Sequence, residues 1–148
     1  MNHVIIIDDE IQSRNGIAEI FRNHSPQWEI GGVFEDGSQA LEYLLQHPEI
    51  NLIVTDIRMP KFDGLELISR IRQYNKLIPI IIISGYSEFS YAKKAVDYQV
   101  FRYIVKPILP SEFDAVITSV ENFFRLEDDP FNEYNLTSSE FDQFLDLL

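Results

Sequence analysis

Five short apolar runs punctuate the chain, and the character of three of them restricts the fold most. The runs are Val4–Ile7, Trp28–Phe34, Leu52–Thr55, Ile80–Ile83 and Phe101–Val105. The first, third and fourth are rich in Ile and Val with little alternation, as expected of strands covered on both faces. Trp28–Phe34 is broken by Gly31-Gly32 and reads as an edge strand. Helical periodicity fills the gaps. Residues 11–23 carry Ile11, Ile17, Ile20 and Phe21, and residues 38–47 carry Ala40, Leu41, Leu44 and Leu45. Residues 64–74 carry Leu65, Ile68 and Ile71, and residues 87–97 carry Phe89, Ala92, Ala95 and Val96. Residues 110–124 repeat the pattern with Phe113, Val116, Ile117, Val120 and Phe124. Ser38 and Ser87 are read as N-caps, and Pro110 fits a first helical turn. Strand and helix alternating five times imply a doubly wound α/β domain, a parallel sheet with helices on both faces.

The pattern breaks near Leu126, at Glu-Asp-Asp-Pro. Residues 1–125 hold all 12 Lys and Arg against 17 acids, whereas residues 126–148 hold 7 acids and no Lys or Arg. The reading is therefore a domain over 1–125 followed by an acidic tail or linker over 126–148. Within that tail Thr137-Ser138-Ser139-Glu140 is a capping box, and Phe141, Phe144, Leu145 and Leu148 follow at the spacing of a short amphipathic helix. A chain with net charge −12 repels a phosphate backbone, so binding to nucleic acid by this chain alone is not expected. The absence of cysteine excludes disulfide and thiolate chemistry. No apolar run approaches a membrane span, and the N-terminus lacks the basic region of a secretory signal, so a cytoplasmic location is expected.

The residue following each run carries the chemistry. Asp8, Asp9 and Glu10 follow Ile7, Asp56 follows Thr55, Ser84 follows Ile83, and Lys106 follows Val105. In a parallel sheet these positions share the carboxyl edge, where open α/β sheets build their sites. Clustered carboxylates repel one another, and a hard divalent cation relieves that repulsion; Mg²⁺ suits a small all-oxygen site. An ammonium and a hydroxyl beside it suit a dianionic phosphoryl group. The remaining carboxylate is then the nucleophile, and Asp56, after a central strand, is the candidate. His3, His24 and His47 share no face and no metal-ligand spacing, and they read as solvated surface residues.

The segments Ile-Ile-Ile-Asp8-Asp9-Glu10, Asp56-Ile-Arg-Met59-Pro60 with Asp63-Gly64, Ser84-Gly85 and Tyr103-Ile-Val-Lys106-Pro107 resemble the receiver domain of two-component response regulators. The likeness covers about residues 3–125, in four separated motifs in the same order. Residues 84–95 further resemble receivers that precede AraC-type DNA-binding domains. The resemblance implies a flavodoxin-like (CheY-like) fold with strand order 2-1-3-4-5. It implies that a sensor histidine kinase donates a phosphoryl group to Asp56. Mg²⁺ would be held by Asp8, Asp9, Asp56 and the backbone carbonyl of Arg58, with Asp8 acting largely through water. Lys106 would pair with the phosphoryl group, Ser84 would swing toward it, and Tyr103 would rotate inward behind Ser84. The Lys106–Pro107 bond would be cis. The output would be a changed face of helix four, strand five and helix five, used for homodimerisation or to grip an effector. Regulation of transcription through a following DNA-binding domain is the reading, with a stand-alone receiver as the alternative.

Some positions depart from the family pattern. Tyr98-Gln99 stands where a glycine usually precedes the last strand. A left-handed helix stop there would strain Gln99, so a different turn is expected. Phe101-Arg102 replaces a small residue and an acid. Lys93-Lys94 is read as the exposed face of its helix, with Lys93, Lys94, Asp97 and Arg102 as part of a charged partner surface the alternative. Arg58 and Tyr86 lie two residues past Asp56 and Ser84, where they would tune attack of water on the acyl phosphate, Tyr86 lengthening its life. Among rivals, a Mg²⁺-dependent aspartyl phosphatase of the haloacid dehalogenase type would carry a second aspartate where Arg58 stands. A flavodoxin-like electron carrier would need a Ser/Thr/Gly-rich phosphate loop after the first run. A receiver that has stopped responding would not need the complete set of Asp8, Asp9, Asp56, Ser84 and Lys106.

Overall fold

The computed structural model describes residues 1–85 and 89–128. The strands are β1 (Asn2–Ile7), β2 (Trp28–Phe34), β3 (Leu52–Thr55), β4 (Ile80–Ser84) and β5 (Arg102–Val105). The helices are α1 (Ile11–His24), α2 (Gly37–Gln46), α3 (Gly64–Tyr74), α4 (Phe89–Asp97) and α5 (Pro110–Asp128). The chain divides into two compact units, Met1–Val116 and Ile117–Leu148, so the division falls within α5. The tail capping box at 137–140, the proposed cap Ser87 and the flanking Tyr86 lie outside the described residues.

All strand pairs are parallel, in the order β2-β1-β3-β4-β5. The Ile-rich runs take the interior places because only there are both faces of a strand covered. Val4–Ile7, β3 and β4 are buried throughout. Side chains alternate across a strand, so each of these strands feeds two apolar layers. Ile5, Ile7, Ile53, Ile80 and Ile82 pack with Ala40 and Leu44 of α2, Leu67, Ile68 and Ile71 of α3, and Ala95 of α4. On α1, Phe21 meets Trp28 edge-on at 5.1 Å and Phe113 at 5.6 Å. Strand β2 is an edge, and the register slips between Val4 and Ile5, which pair with Ile30 and Gly32 and leave Gly31 as the extra residue.

The carboxyl ends of the strands are level. Ile7 pairs with Phe34 and Thr55, and Ser84 pairs with Val105. The ladder also continues one residue beyond three of the strands. The amide of Asp8 donates to the carbonyl of Phe34 at 3.0 Å, that of Asp56 to Ile7 at 2.9 Å and that of Lys106 to Ser84 at 2.8 Å. The Lys106–Pro107 peptide is cis.

Three local expectations are corrected. The α2 cap is Asp36 and not Ser38: one Asp36 carboxylate oxygen accepts from the amides of Ser38 at 2.9 Å and Gln39 at 3.0 Å. An ionised carboxylate satisfies two orphan amides at once, and its bonds to Ser38 and Gln39 hold its pKa below the usual carboxylate value. Gln99 does adopt the left-handed conformation, with φ 55°. The strain is offset by Arg72, whose guanidinium donates to the carbonyls of Tyr98 at 2.8 Å and Gln99 at 3.2 Å. His24 is not a solvated side chain; its ring is 10% exposed and Nδ1 lies 2.5 Å from Asp114 Oδ1.

Candidate functional site

Asp8, Asp56 and Lys106 meet at the level edge of the sheet. The Lys106 ammonium donates to Asp56 Oδ2 at 3.0 Å and to Asp8 Oδ2 at 3.1 Å, and it lies 3.6 Å from Glu10 Oε1. Both aspartates are buried, at 6% exposure for Asp56 and 1% for Asp8. Backbone amides take the other oxygen of each: Ile57 donates to Asp56 Oδ1 at 2.7 Å and Glu10 to Asp8 Oδ1 at 2.9 Å. Each carboxylate is thus oriented by one fixed amide and one long, adjustable ammonium.

Burial holds the Asp56 carboxyl above its ordinary pKa; the nearby charge of Asp8 adds to this, and Lys106 opposes it. For Lys106 burial pulls the other way, but Asp56 and Asp8 outweigh it, and the ammonium titrates higher than a free lysine. One ammonium between two buried carboxylates, with exposed Asp9 and Glu10 alongside, leaves an excess of negative charge. One carboxylate oxygen each from Asp8, Asp9, Glu10 and Asp56 can lie within 4.8 Å of the others. A hard, all-oxygen donor set of this kind fits a small divalent cation such as Mg²⁺.

Ser84, fully buried at the end of β4, sits in the adjacent strand, and its carbonyl accepts from Lys106. Tyr103 lies deeper along β5, in register with Ile82, and packs half-buried on the core. The Arg58 side chain turns toward α4, where Nε donates to the Tyr91 hydroxyl at 2.8 Å and the guanidinium lies 5.6 Å from the ring centroid.

Four further residues shape the site. Thr55 donates its hydroxyl to the Asp56 carbonyl at 2.9 Å, and Arg14 donates to the Asp8 carbonyl at 2.8 Å. Glu10 joins the carboxylate cluster. Gly64 opens α3 against the loop after Asp56, where its amide donates to the Ile57 carbonyl at 2.7 Å. A Cβ at residue 64 would lie 1.9 Å from the Asp56 carbonyl oxygen, so no larger residue fits. In the sequence it stands in the Asp63-Gly64 motif, directly after Asp63, which caps α3 by accepting from the Glu66 amide at 2.8 Å.

A five-stranded parallel sheet in this order, with an aspartate pair, a central aspartate and a lysine gathered at its carboxyl edge, defines the receiver class of signalling modules. The family described as "Response regulator receiver domain" matches residues 4–118, and the chain belongs to it. The transcriptional regulatory protein YesN of Bacillus subtilis is 33% identical over 121 residues, which cover 82% of this chain and 32% of that protein. The chain spans less than half the length of the curated relatives it matches. Among solved structures, the REC domain of AraT, a response regulator from Geobacillus stearothermophilus, superposes with TM-score 0.77 at 35% identity, covering 86% of this chain and 98% of that one. The CheX-CheY-BeF3-Mg+2 complex from Borrelia burgdorferi superposes with TM-score 0.75 at 28% identity, covering 80% of this chain and 88% of that one. The family match makes the chain a module of two-component signalling rather than a hydrolytic enzyme of the haloacid dehalogenase type. Among the described residues no helix is long and apolar enough to cross a membrane.

Proposed function

We propose that residues 1–125 are a working receiver in which Asp56 takes a phosphoryl group from the phosphohistidine of a sensor histidine kinase. The observation that carries this is the Lys106 ammonium shared between Asp56 Oδ2 and Asp8 Oδ2. An Asp56 carboxylate oxygen attacks phosphorus, a P–O bond forms, and the P–N bond of the donor breaks with its electron pair leaving on the imidazole. Asp8, Asp9, Asp56 and the Arg58 carbonyl would hold Mg²⁺, which when bound supplies charge neutralisation for the phosphoryl oxygens. Lys106 stays close enough to follow the added negative charge from carboxylate to phosphate. Ser84 donates its hydroxyl to a phosphoryl oxygen, and Tyr103 takes up the space behind it.

A cavity of about 500 Å³ beside Lys106, bounded by Gly16, Ile17 and Ile20 of α1 and by Pro107 and Ile108, gives the donor domain an apolar foothold next to the acceptor. The output surface includes the outer side of α4 and β5, where Lys93, Lys94, Val96, Asp97, Arg102 and Val105 are exposed. This surface serves self-association or effector binding. Because the relatives carrying the likeness are transcriptional regulators, regulation of transcription through a DNA-binding domain following the acidic tail of residues 126–148 is the favoured output.

The test is intact-mass analysis after incubation with acetyl phosphate and Mg²⁺. One added phosphoryl group is expected, absent with chelator and absent from Asp56→Asn. Labelling of that variant, or none of the parent chain, would refute the assignment.

A further inference from the structure

Helix α4 is held at both ends by arginines that reach from outside it. At its first turn Tyr91 accepts the bond from Arg58, two residues past Asp56, and lies under the same guanidinium. At its far end the half-buried Arg72 of α3 donates to four backbone carbonyls. Two belong to the turn leaving α4, Tyr98 at 2.8 Å and Gln99 at 3.2 Å, and two to the segment entering β4, Asn75 at 3.2 Å and Ile78 at 2.8 Å. The two tethers are unequal. A half-buried guanidinium bonded to four carbonyls gives up four partly shielded bonds together if it departs, whereas a single exposed side-chain bond exchanges readily with water. The strained Gln99 sits within the stronger tether, so the C-terminal end of α4 is fixed and the first turn is the end able to yield.

We propose that the Arg58–Tyr91 contact is a coupling element that passes the state of the Asp56 loop to the first turn of α4, with Arg72 as the pivot at the other end. Resting on the acceptor reading above, it adds a route to α4 that does not pass through Ser84 or Tyr103. Arg58 ties the two because one residue does both jobs: its backbone belongs to the acceptor loop and its side chain belongs to α4. Any shift of that loop which displaces the guanidinium must break the bond to Tyr91 or carry the helix with it. By linkage, a helix released from Arg58 must alter the loop's affinity for its ligand by the same factor.

The experiment is amide exchange across residues 89–97 of the whole chain, with and without beryllofluoride and Mg²⁺, alongside acetyl phosphate labelling. In the parent chain, beryllofluoride changes exchange in the first turn of α4 more than at its C-terminal end. In Tyr91→Phe, which keeps the ring, that response shrinks about fivefold, and beryllofluoride affinity shifts by a similar factor, the size of one net hydrogen bond. Labelling of Asp56 still goes to completion in this variant. Arg58→Lys, which keeps the charge but lacks the Nε donor, shows the same loss of α4 response. In Arg72→Met the response spreads to the C-terminal end of the helix. An α4 response in Tyr91→Phe and Arg58→Lys equal to that of the parent, or a labelled parent with no α4 response, overturns the coupling alone. A parent chain that neither labels nor binds beryllofluoride overturns the acceptor reading, and the coupling with it.

Discussion

Alanine at residue 64 and alanine at residue 16 are the same chemical change with opposite expected signs. At Gly64 an added Cβ would meet the Asp56 carbonyl oxygen at 1.9 Å, the Asp56 carbonyl carbon at 2.9 Å and the Ile57 Cα at 3.0 Å. All three are backbone atoms at the end of a buried strand, so no side chain can rotate away. Relief requires the start of α3 and the loop after Asp56 to separate by about 1.5 Å, enough to take the 1.9 Å approach to an ordinary Cβ contact. That movement breaks the Gly64 amide bond to Ile57 and disturbs the Thr55 hydroxyl bond to the Asp56 carbonyl. Two hydrogen bonds at about 1 kcal/mol each and overpacking strain of about 1–3 kcal/mol give a loss of about 3–5 kcal/mol. The lower entropy of the unfolded alanine chain returns about 0.4–1 kcal/mol, leaving a net loss of about 2–5 kcal/mol.

Gly16, exposed within α1, has nothing within 4 Å of the place a Cβ would occupy and no positive φ. Helix propensity then dominates, and Gly16→Ala should gain about 0.5–1 kcal/mol. Urea unfolding followed by far-ultraviolet circular dichroism measures both, with the slope checked for two-state behaviour. Gly64→Ala should also slow acetyl phosphate labelling, because the displaced atoms belong to Asp56 itself. A Gly64→Ala midpoint equal to that of the parent would refute the close-approach argument, and loss of stability in Gly16→Ala would refute the claim that open space decides the sign.

Three other outcomes follow from the same structure. Asp36→Ala should lose about 1 kcal/mol in urea unfolding, whereas Ser38→Ala should lose markedly less; the reverse order would restore Ser38 as the cap. Lys106→Met should slow acetyl phosphate labelling on the order of a hundredfold, measured by intact mass, while the folded chain persists; an unchanged rate would remove Lys106 from the transfer step. The third concerns acid. Because burial, with Asp8, raises the Asp56 pKa above its unfolded value, the folded state binds the proton more readily, and the charged carboxylate lowers stability at neutral pH. That penalty is relieved as pH falls through the folded pKa of Asp56 toward the unfolded one. In chelator, the urea midpoint of the parent should therefore gain on that of Asp56→Asn as the solution is acidified from neutrality, and parallel curves would show that Asp56 carries no such penalty.

The parallel sheet is legible in the sequence because burial on both faces demands unbroken Ile and Val, a pattern local to each run. The gathering of Asp8, Asp56 and Lys106 is legible one step later, since parallel strands put their following residues on one edge. What the sequence conceals depends on partners distant along the chain. Asp36 and Ser38 are both good caps two residues apart, and apolar periodicity cannot choose between them; the double bond of the Asp36 carboxylate does. Gln99 takes a conformation that local rules disfavour because Arg72, 27 residues away, reaches its carbonyl. His24 is withdrawn from solvent beside Asp114, 90 residues away, which no spacing of histidines reveals.

The backbone at the sheet edge separates what is fixed in this site from what can respond. Asp8, Asp56 and Lys106 each follow a strand, yet each amide is still bonded to the neighbouring strand, so their Cα positions are part of the sheet. The proposed transfer needs Asp56 and the Lys106 ammonium placed to within a fraction of an ångström, and a sheet supplies that better than a loop. Adjustability is left to the long Lys106 side chain and to the backbone that follows Asp56. Residue 57 already spends its amide on the Asp56 carboxylate, and its carbonyl is anchored by Gly64. The Ile57 side chain is buried in the core, and Arg58 is the next residue, whose side chain hydrogen-bonds α4. A change of charge at Asp56 is not absorbed by moving the strands; it falls on the Lys106 side chain, on this short loop and on what the loop holds.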